Sequence, residues 1–216
     1  MSIAKNIQEL KKYLPVEVQL IAVSKTKPLS DLHEAYEAGQ RLFGENKIQE
    51  MVEKWEQMPK DIEWHMIGHV QTNKVKYMAP FVHLIHAVDS VKLLKEIQKQ
   101  AFKNSRSIDC LIQIRIAQEE TKFGLPKDQL DELLSLAKGF DNLRVVGLMG
   151  MASFTSNENQ IREEFKSLFQ LFKSAQAVNP DLKVLSMGMS GDFEIAIEEG
   201  SNTIRVGSKI FGERNY

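Results

Sequence analysis

The sequence predicts an α/β protein, most simply a closed (β/α)8 TIM-type barrel, and three observations support this fold class. Short apolar or β-branched segments alternate with longer segments of helical periodicity along the whole chain. Eight strand-like segments occur, which is the number that a closed barrel needs. The length of 216 residues lies in the lower range for this fold. A doubly wound open sheet is built from the same repeating units and is the alternative.

The eight predicted strands are short apolar runs, each followed by a segment with helical spacing. Eight strands that alternate with helices favour a parallel sheet. The predicted strands cover Val18–Val23, Arg41–Gly44, Ile62–Gly68, Leu84–Val88, Asp109–Ile116, Arg144–Met149, Lys183–Met187 and Thr203–Gly207.

The predicted helices begin with an amphipathic segment, MSIAKNIQELKKYL, which lacks the continuous apolar run of a signal peptide. Asp89-Ser90 and Ser190-Gly191-Asp192 are predicted to cap the helices that follow them. The later predicted helices cover Leu29–Ala38, Lys47–Gln57, Ser90–Asn104, Lys127–Lys138, Asn159–Val178 and Phe193–Glu199.

Composition and charge exclude several classes of protein. With 28 Lys and Arg against 29 Asp and Glu, the formal charge is −1, which gives no general attraction for nucleic acid or anionic lipid. A hydrophobic fraction of 43% can form a full core and excludes intrinsic disorder. No apolar run approaches the ~20 residues of a membrane span. We therefore expect a cytoplasmic protein with one domain over residues 1–216 and a buried structural thiol at Cys110.

The end of the first predicted strand carries a candidate nucleophile. In a barrel, functional side chains lie at the carboxyl ends of the strands. Lys25 is the first charged residue after the apolar run IAVS, and Pro28 ends the extended segment. Partial burial at the barrel mouth would lower the pKa of this amine and make it a usable nucleophile. The alternative is an ordinary solvated lysine.

The last two predicted strands are each followed by a loop of small residues, where barrels often bind phosphate. Small side chains let backbone N–H groups approach an anion, although each glycine could equally mark a tight turn. Arg205 lies within the last strand, where a charge needs either a ligand or a buried ion-pair partner. The loop residues are Gly188, Ser190, Gly191, Gly207 and Ser208.

No motif indicates a metal or nucleotide site. His65 and His69 have i, i+4 spacing, but Gly68 and a predicted strand lie between them, so they do not share a helical face. We interpret them as hydrogen-bonded residues near the barrel mouth, not as metal ligands. The chain also lacks GxGxxG, GxxxxGK[ST] and GxSxG motifs, which removes the main support for dehydrogenase, nucleotide-hydrolase and α/β-hydrolase functions.

A lysine after the first strand, an arginine in the last and phosphate-type loops after strands seven and eight together describe a site for pyridoxal 5′-phosphate (PLP). The sequence resembles the pyridoxal phosphate homeostasis protein family, single-domain relatives of the alanine racemase N-terminal barrel, of PLP fold type III. The resemblance extends over nearly the whole chain. It is carried by AVSKTKP (22–28), FGENKIQE (43–50), WHMIGHVQTNK (64–74), TKFGL (121–125), GLMGM (147–151) and LSMGMSGDFEIAIEEGSNTIRVGSKIFGER (185–214).

The resemblance implies a role for seven residues. Lys25 matches the lysine that holds PLP as a Schiff base, and Arg205 matches the residue that faces the pyridine nitrogen. Ser186, Gly207 and Ser208 match the phosphate-binding residues, while Asn46 and Met187 match residues near the cofactor. The chain departs from the commonest family pattern at Phe123, Gly150 and Ser208, where Ser208 keeps the hydroxyl of the more frequent threonine.

The function implied is intracellular vitamin B6 (PLP) homeostasis without catalytic turnover, with apoenzymes that require PLP as candidate recipients. The alternative is an amino-acid racemase of the alanine racemase type, which takes its second base from an additional β-domain. We expect no such domain, because the sequence ends at Tyr216, and a monomer is therefore expected. A third interpretation, a phosphosugar-type isomerase or ligand-binding protein, explains the Gly/Ser loops but leaves Lys25 and Arg205 without a role.

Overall fold

The computed structural model describes residues 2–118 and 123–213 and shows a closed barrel of parallel strands. The strands follow one another around the barrel in chain order, and β8 pairs with β1 to close it. The fold class predicted from the sequence is confirmed, and the doubly wound alternative is wrong. The strands are β1 (Gln19–Val23), β2 (Leu42–Glu45), β3 (Glu63–Met66), β4 (Leu84–Val88), β5 (Ile108–Gln113), β6 (Leu143–Met149), β7 (Val184–Met189) and β8 (Thr203–Val206).

The helices form the outer layer, and each strand in the described ranges is followed by at least one helical segment. Short 3₁₀ turns at Thr72–Lys74 and Lys127–Gln129 lead into α4 and α6. The helices are α1 (Ile3–Tyr13), α2 (Leu29–Glu37), α3 (Ile48–Gln57), α4 (Val75–Met78), α5 (Val91–Lys103), α6 (Leu130–Ala137), α7 (Glu158–Val178), α8 (Phe193–Glu198) and α9 (Ser208–Phe211).

All eight predicted strands are present, with ends that shift by up to three residues. β4 has the predicted bounds, whereas β5 ends at Gln113 and not at Ile116. Beyond Gln113, the Ile114 N–H still donates to the Met149 carbonyl (2.8 Å), and Ile114 forms an isolated bridge with Leu125. Helices α4 and α9 lie outside the predicted set, since four residues are too few to show a helical period.

Alternation along each strand divides the core into two layers. Leu20 and Ala22 of β1 belong to the large apolar cluster that lies between the strands and the helices. A smaller cluster formed by Leu84, Leu111 and Met149 comes from three neighbouring strands and fills part of the barrel interior. This alternation turns every second strand residue toward the barrel interior, and those near the carboxyl ends of the strands can reach the mouth.

Local contacts at the helix starts confirm one predicted cap and revise the other. The Ser90 hydroxyl accepts a hydrogen bond from the Leu93 N–H (3.3 Å) at the start of α5. Asp192 precedes α8, but its Oδ1 accepts from the Met189 N–H (2.5 Å) instead of capping the helix. The Asp192 carboxylate therefore closes the loop between β7 and α8.

Two further expectations concern the single cysteine and membrane-spanning helices. Cys110 is fully buried in β5, and burial raises the pKa of its thiol well above the usual value, as expected for a structural cysteine. Within residues 2–118 and 123–213, none of the helices combines the length and the apolar character needed to cross a bilayer.

Candidate functional site

A cavity of about 540 Å³ opens at the carboxyl ends of the strands. This is the end of the barrel at which the β-to-α loops meet and at which barrel proteins place their functional groups. Five of the seven residues singled out from the sequence line this cavity. They are Lys25, Asn46, Arg205, Gly207 and Ser208.

Lys25 lies in the turn that follows β1 and is half-buried. Lys27 also lines the cavity, but its ammonium group donates to the carbonyl oxygens of Phe211 (2.9 Å) and Gly212 (3.3 Å). These bonds tie Lys27 to the end of α9. Two lysines of one loop thus reach the same cavity, and the amine of Lys27 donates to backbone carbonyl groups.

Arg205 projects from β8 into the barrel and is almost fully buried. Its Nη1 donates to Ser186 Oγ (2.6 Å), and its Nη2 donates to the Gly150 carbonyl (3.1 Å). Burial lowers the pKa of Arg205 to about 10, so the guanidinium remains charged at neutral pH. A fixed positive charge with several N–H donors therefore forms part of the cavity wall.

A chain of polar side chains runs from Arg205 across the barrel interior. Ser186 Oγ lies 3.1 Å from His86 Nδ1, and His86 Nε2 lies 2.9 Å from His65 Nδ1. Both imidazoles are buried, and burial lowers their pKa values, that of His65 to about 3. The two rings are neutral at physiological pH, so Arg205 is the charged member of this chain.

Two of the residues assigned from the resemblance do not line the cavity. Ser186 points into the barrel beneath it, where its hydroxyl contacts Arg205 and His86. Met187 points the other way and belongs to the large cluster beneath the helices. Neighbouring strand residues face opposite sides of a sheet, so Ser186 and Met187 cannot both face the mouth.

The loops after β7 and β8 are joined at the cavity wall. The Ser190 hydroxyl accepts a hydrogen bond from the Gly207 N–H (3.1 Å). Gly188 has a φ of +95°, and a Cβ there would lie 2.6 Å from Ala196 Cβ, so this position requires glycine. Gly191 lies on the lining with open space around it. Ser208 is exposed at the start of α9, which leaves its hydroxyl accessible to a ligand.

Asn46 follows β2 and is packed tightly against the next strand connection. A Cβ at Gly68 would lie 2.4 Å from the Asn46 carbonyl oxygen, so only glycine fits at this close approach. The Asn46 side-chain Oδ1 is buried and has no hydrogen-bond partner among the described residues. A buried acceptor of this kind on a cavity wall is suited to a ligand that donates a hydrogen bond.

Apolar residues around the mouth were not among the predicted site residues. Phe123 stacks on His69 with ring centroids 4.3 Å apart, and both side chains line the cavity with Met151, Phe154 and Met189. His69 Nδ1 also lies 3.4 Å from Asp89 Oδ2. The rule that strand ends carry function could have identified Met151 and Met189. Phe123 lies far beyond the end of β5 and carries no such signal, and Thr121 and Lys122 of the TKFGL motif lie outside the described residues.

The interpretation that His65 and His69 both lie near the barrel mouth is correct for His69 and wrong for His65. His65 lies inside the barrel and His69 lies on the cavity lining, so the two do not form a common ligand set. In the described ranges, one group of three potential ligands lies within 4.8 Å, namely Glu63, His65 and His83. Glu63 and His83 lie at the beginnings of β3 and β4, at the end of the barrel opposite the cavity.

Comparison with known proteins identifies the family. The family model described as "Alanine racemase, N-terminal domain" matches residues 1–215. The pyridoxal phosphate homeostasis protein of Aquifex aeolicus is 44% identical over 200 residues, which covers 92% of this chain and 88% of the relative.

Solved structures agree with this assignment. PipY of Synechococcus elongatus PCC7942 with PLP bound superposes with a TM-score of 0.91 at 34% identity, covering 98% of this chain and all of PipY. Alanine racemase of Clostridium difficile, in complex with cycloserine, has a TM-score of 0.82 at 10% identity. The superposition covers all of this chain and 60% of the racemase. At this low identity, the likeness concerns the fold alone. The chain belongs to the pyridoxal phosphate homeostasis protein family, within the wider family of the alanine racemase N-terminal domain.

Proposed function

We propose that this protein binds PLP in the cavity at the carboxyl ends of its strands and serves in intracellular PLP homeostasis. The observation that carries the proposal is that Lys25, Arg205 and Ser208, from both ends of the sequence, line one cavity. The names of the relatives and the PLP found in PipY support the same cofactor.

The residues present fit PLP by three tests. A volume of about 540 Å³ is of the size that holds a small cofactor. The charges are complementary, because a cationic guanidinium and a lysine amine face a ligand that carries an anionic phosphate. The buried Asn46 Oδ1 lacks a partner among the described residues, and a bound ligand would supply one.

Each residue has a distinct task in this proposal. Lys25 would hold PLP through its side-chain amine. Arg205 would face the pyridine nitrogen, and because the guanidinium keeps its charge it would disfavour a proton on that nitrogen. Ser208, Gly191 and the loop joined by Ser190 supply donors for the phosphate.

PLP bound to a lysine supplies an electron-withdrawing ring, and a ring whose nitrogen faces arginine is a poorer electron sink than one paired with a carboxylate. The location of Arg205 therefore supports a role in holding the cofactor without turnover.

The experiment that tests this proposal is the absorption spectrum of the purified protein with PLP, followed by borohydride reduction and peptide mapping. We expect a visible band near ~420 nm that reduction removes, with the pyridoxyl group on Lys25. Lys25→Ala should abolish the covalent product, while Lys27→Ala, a lysine of the same loop, should retain it. The pyridoxyl group on Lys27 or Lys74 would contradict the assignment, as it would on Lys122, which lies outside the described residues. A protein that binds phosphate without the visible band would favour the phosphosugar-type alternative.

We further infer that the protein acts in the cytoplasm as a monomer that supplies PLP to apoenzymes. The balanced charge of −1 supports a role without nucleic acid or membrane binding. Sedimentation of the purified protein tests the oligomeric state. Reactivation of a PLP-requiring apoenzyme by the loaded protein, compared with the same amount of added PLP, tests transfer.

A further inference from the structure

A buried ion cluster lies behind the turn that carries Lys25. Lys54 of α3 lies 2.7 Å from Glu45 Oε1 of β2 and 2.7 Å from Glu50 Oε1 of its own helix. The side chain of Lys54 is 7% exposed and that of Glu45 is fully buried. Charged groups are rarely buried to this extent, and a buried pair stabilises a fold weakly compared with apolar packing. A cluster of this kind calls for an explanation other than stability.

The remaining hydrogen bonds of the cluster go to the turn itself. Lys54 Nζ donates to the Ser24 carbonyl (2.8 Å), and the Ser24 hydroxyl donates to Glu45 Oε1 (2.7 Å). The Thr26 N–H donates to Glu50 Oε1 (2.6 Å). Ser24 and Thr26 are the two chain neighbours of Lys25. The cluster therefore holds the backbone on both sides of that lysine.

The backbone of the turn needs such support. Thr26 has a φ of +65°, in the left-handed region that β-branched residues rarely adopt. Backbone conformations of this kind persist where the surrounding structure determines them strongly, and they concentrate at functional sites. The bond from the Thr26 N–H to a carboxylate is a charge-assisted contact that stabilises this conformation.

We propose that Glu45, Lys54 and Glu50 form a positioning unit that fixes the turn of residues 24–26 and thereby directs the Lys25 amine into the cavity. None of the three lines the cavity, so they act through the turn and not by touching a ligand. The unit joins the motif that contains Lys25 to the FGENKIQE motif. The part of the proposal that concerns Lys25 as the cofactor lysine rests on the proposed function, whereas the holding of the turn does not.

The first test uses protein without cofactor. In Glu50→Ala, hydrogen exchange of the Thr26 amide, followed by NMR, should become about tenfold faster, because the amide loses its acceptor. Glu50→Gln keeps a side-chain oxygen at the same position and should restore most of the protection. Wild-type exchange of Thr26 in Glu50→Ala would overturn the proposal.

The second test measures Lys25 itself. Lys54→Met has similar length but cannot donate to Ser24, and we expect its apparent affinity for PLP to fall about tenfold. The pH profile of borohydride-trapped product on Lys25 should shift as well, which a merely structural role would not cause. Lys47→Met, at an exposed lysine preceding the same helix, is the matched control and should behave as wild type.

Further outcomes distinguish a failure of the positioning unit from a folding defect and from a failure of PLP binding. If Lys54→Met does not fold by circular dichroism, Glu50→Ala carries the measurement with Glu50→Gln as its control, because Glu50 is the most exposed side chain of the three. PLP binding and a pH profile equal to wild type in a folded Lys54→Met would overturn the proposal. Altered Thr26 exchange together with no trapped product in the wild-type protein would support the positioning unit and reject PLP binding at Lys25.

Discussion

At the scale of single residues, Arg205 shows how a charge is kept inside a barrel. Among residues 2–118 and 123–213, its side chain donates to two neutral acceptors, Ser186 Oγ and the Gly150 carbonyl. An arginine with neutral partners keeps its charge available for a ligand, whereas a buried ion pair would cancel it. The sequence left both possibilities open. In the described residues its hydrogen-bond acceptors are neutral, and a ligand contact of Arg205 stays a prediction.

The two serines assigned from the resemblance should differ in their effect on binding. Ser208 is exposed on the cavity lining and offers its hydroxyl to a phosphate. Ser208→Ala should weaken PLP binding by roughly 1.5–3 kcal/mol, the range for a hydrogen bond to a charged group. It should leave the binding of pyridoxal, which lacks the phosphate, nearly unchanged. Fluorescence titration with both compounds measures this difference.

Ser186 is the matched control for Ser208, because its hydroxyl is buried against Arg205 and His86. Ser186→Ala should weaken PLP and pyridoxal binding to a similar degree, since it acts through Arg205. Selective loss of PLP binding in Ser186→Ala would show that Ser186 contacts the phosphate, as the resemblance implies.

Glu45 should make the stability of the protein depend on pH. Burial raises the pKa of Glu45 to about 7, and this effect exceeds the opposing effects of Lys54 and Ser24. Between pH 4.5 and 7 the folded state keeps a proton on Glu45 that the unfolded state releases, so Glu45 joins the cluster as an ion only above this range. The free energy of unfolding therefore falls as the pH rises. Glu45→Gln lacks this dependence. Relative to wild type, its stability should rise by up to roughly 3 kcal/mol across this window, measured by urea denaturation. A difference that is constant with pH would contradict the assigned pKa.

At the scale of elements, the sequence predicts strands more completely than it predicts the site. Period and β-branched composition locate all eight strands, because burial on both faces leaves a continuous apolar run. The direction of a side chain depends on register, and for this reason Ser186 and Met187 could not be sorted from the sequence. Contacts between distant segments, such as Phe123 on His69, follow from loop paths that carry no periodic signal.

The loop between β7 and α8 provides a test of backbone requirements at this scale. Gly188→Ala would force a side chain onto a φ of +95° and place its Cβ 2.6 Å from Ala196 Cβ, so it should destabilise the protein by about 2 kcal/mol or more. Gly191 lies three residues further on with open space around it, so Gly191→Ala should change stability by less than about 0.5 kcal/mol. Thermal unfolding of both variants makes the comparison. Equal losses would show that the turn tolerates a side chain at Gly188.

At the scale of the whole molecule, the ion cluster and the polar chain each support one of the two strands that close the barrel beside the cavity. The cluster at Lys54 supports the turn after β1, and the chain from His65 to Arg205 supports the opposite side of the closure, on β8. β1 and β8 pair directly, with Ile21 opposite Arg205. The closure of the barrel thus brings the first and last strands, and the two candidate cofactor residues, into one wall.

We expect that the protein does not racemise amino acids at an enzymatic rate. Racemisation needs one base on each face of the substrate, and Lys25 supplies one. Of the described tyrosines, Tyr13, Tyr36 and Tyr77, none lines the cavity, and Tyr216 lies outside the described residues. His69 does line the cavity, with its ring on Phe123 and its Nδ1 3.4 Å from Asp89 Oδ2, and it is the side chain that the racemase alternative would use. Phe154 lies on the cavity lining and is 98% exposed, so water reaches the mouth. Water there weakens the electrostatic stabilisation of a charged transition state.

Incubation of the PLP-loaded protein with L-alanine and, separately, L-serine, followed by chiral chromatography, measures this activity, with an authentic alanine racemase as the positive control. We expect turnover below the ordinary enzymatic range of about 1–10³ s⁻¹. Turnover within that range would establish the racemase alternative. Its loss in His69→Ala, with PLP still trapped on Lys25, would then identify His69 as the second base, because general acid–base catalysis typically contributes about 10²–10⁴-fold.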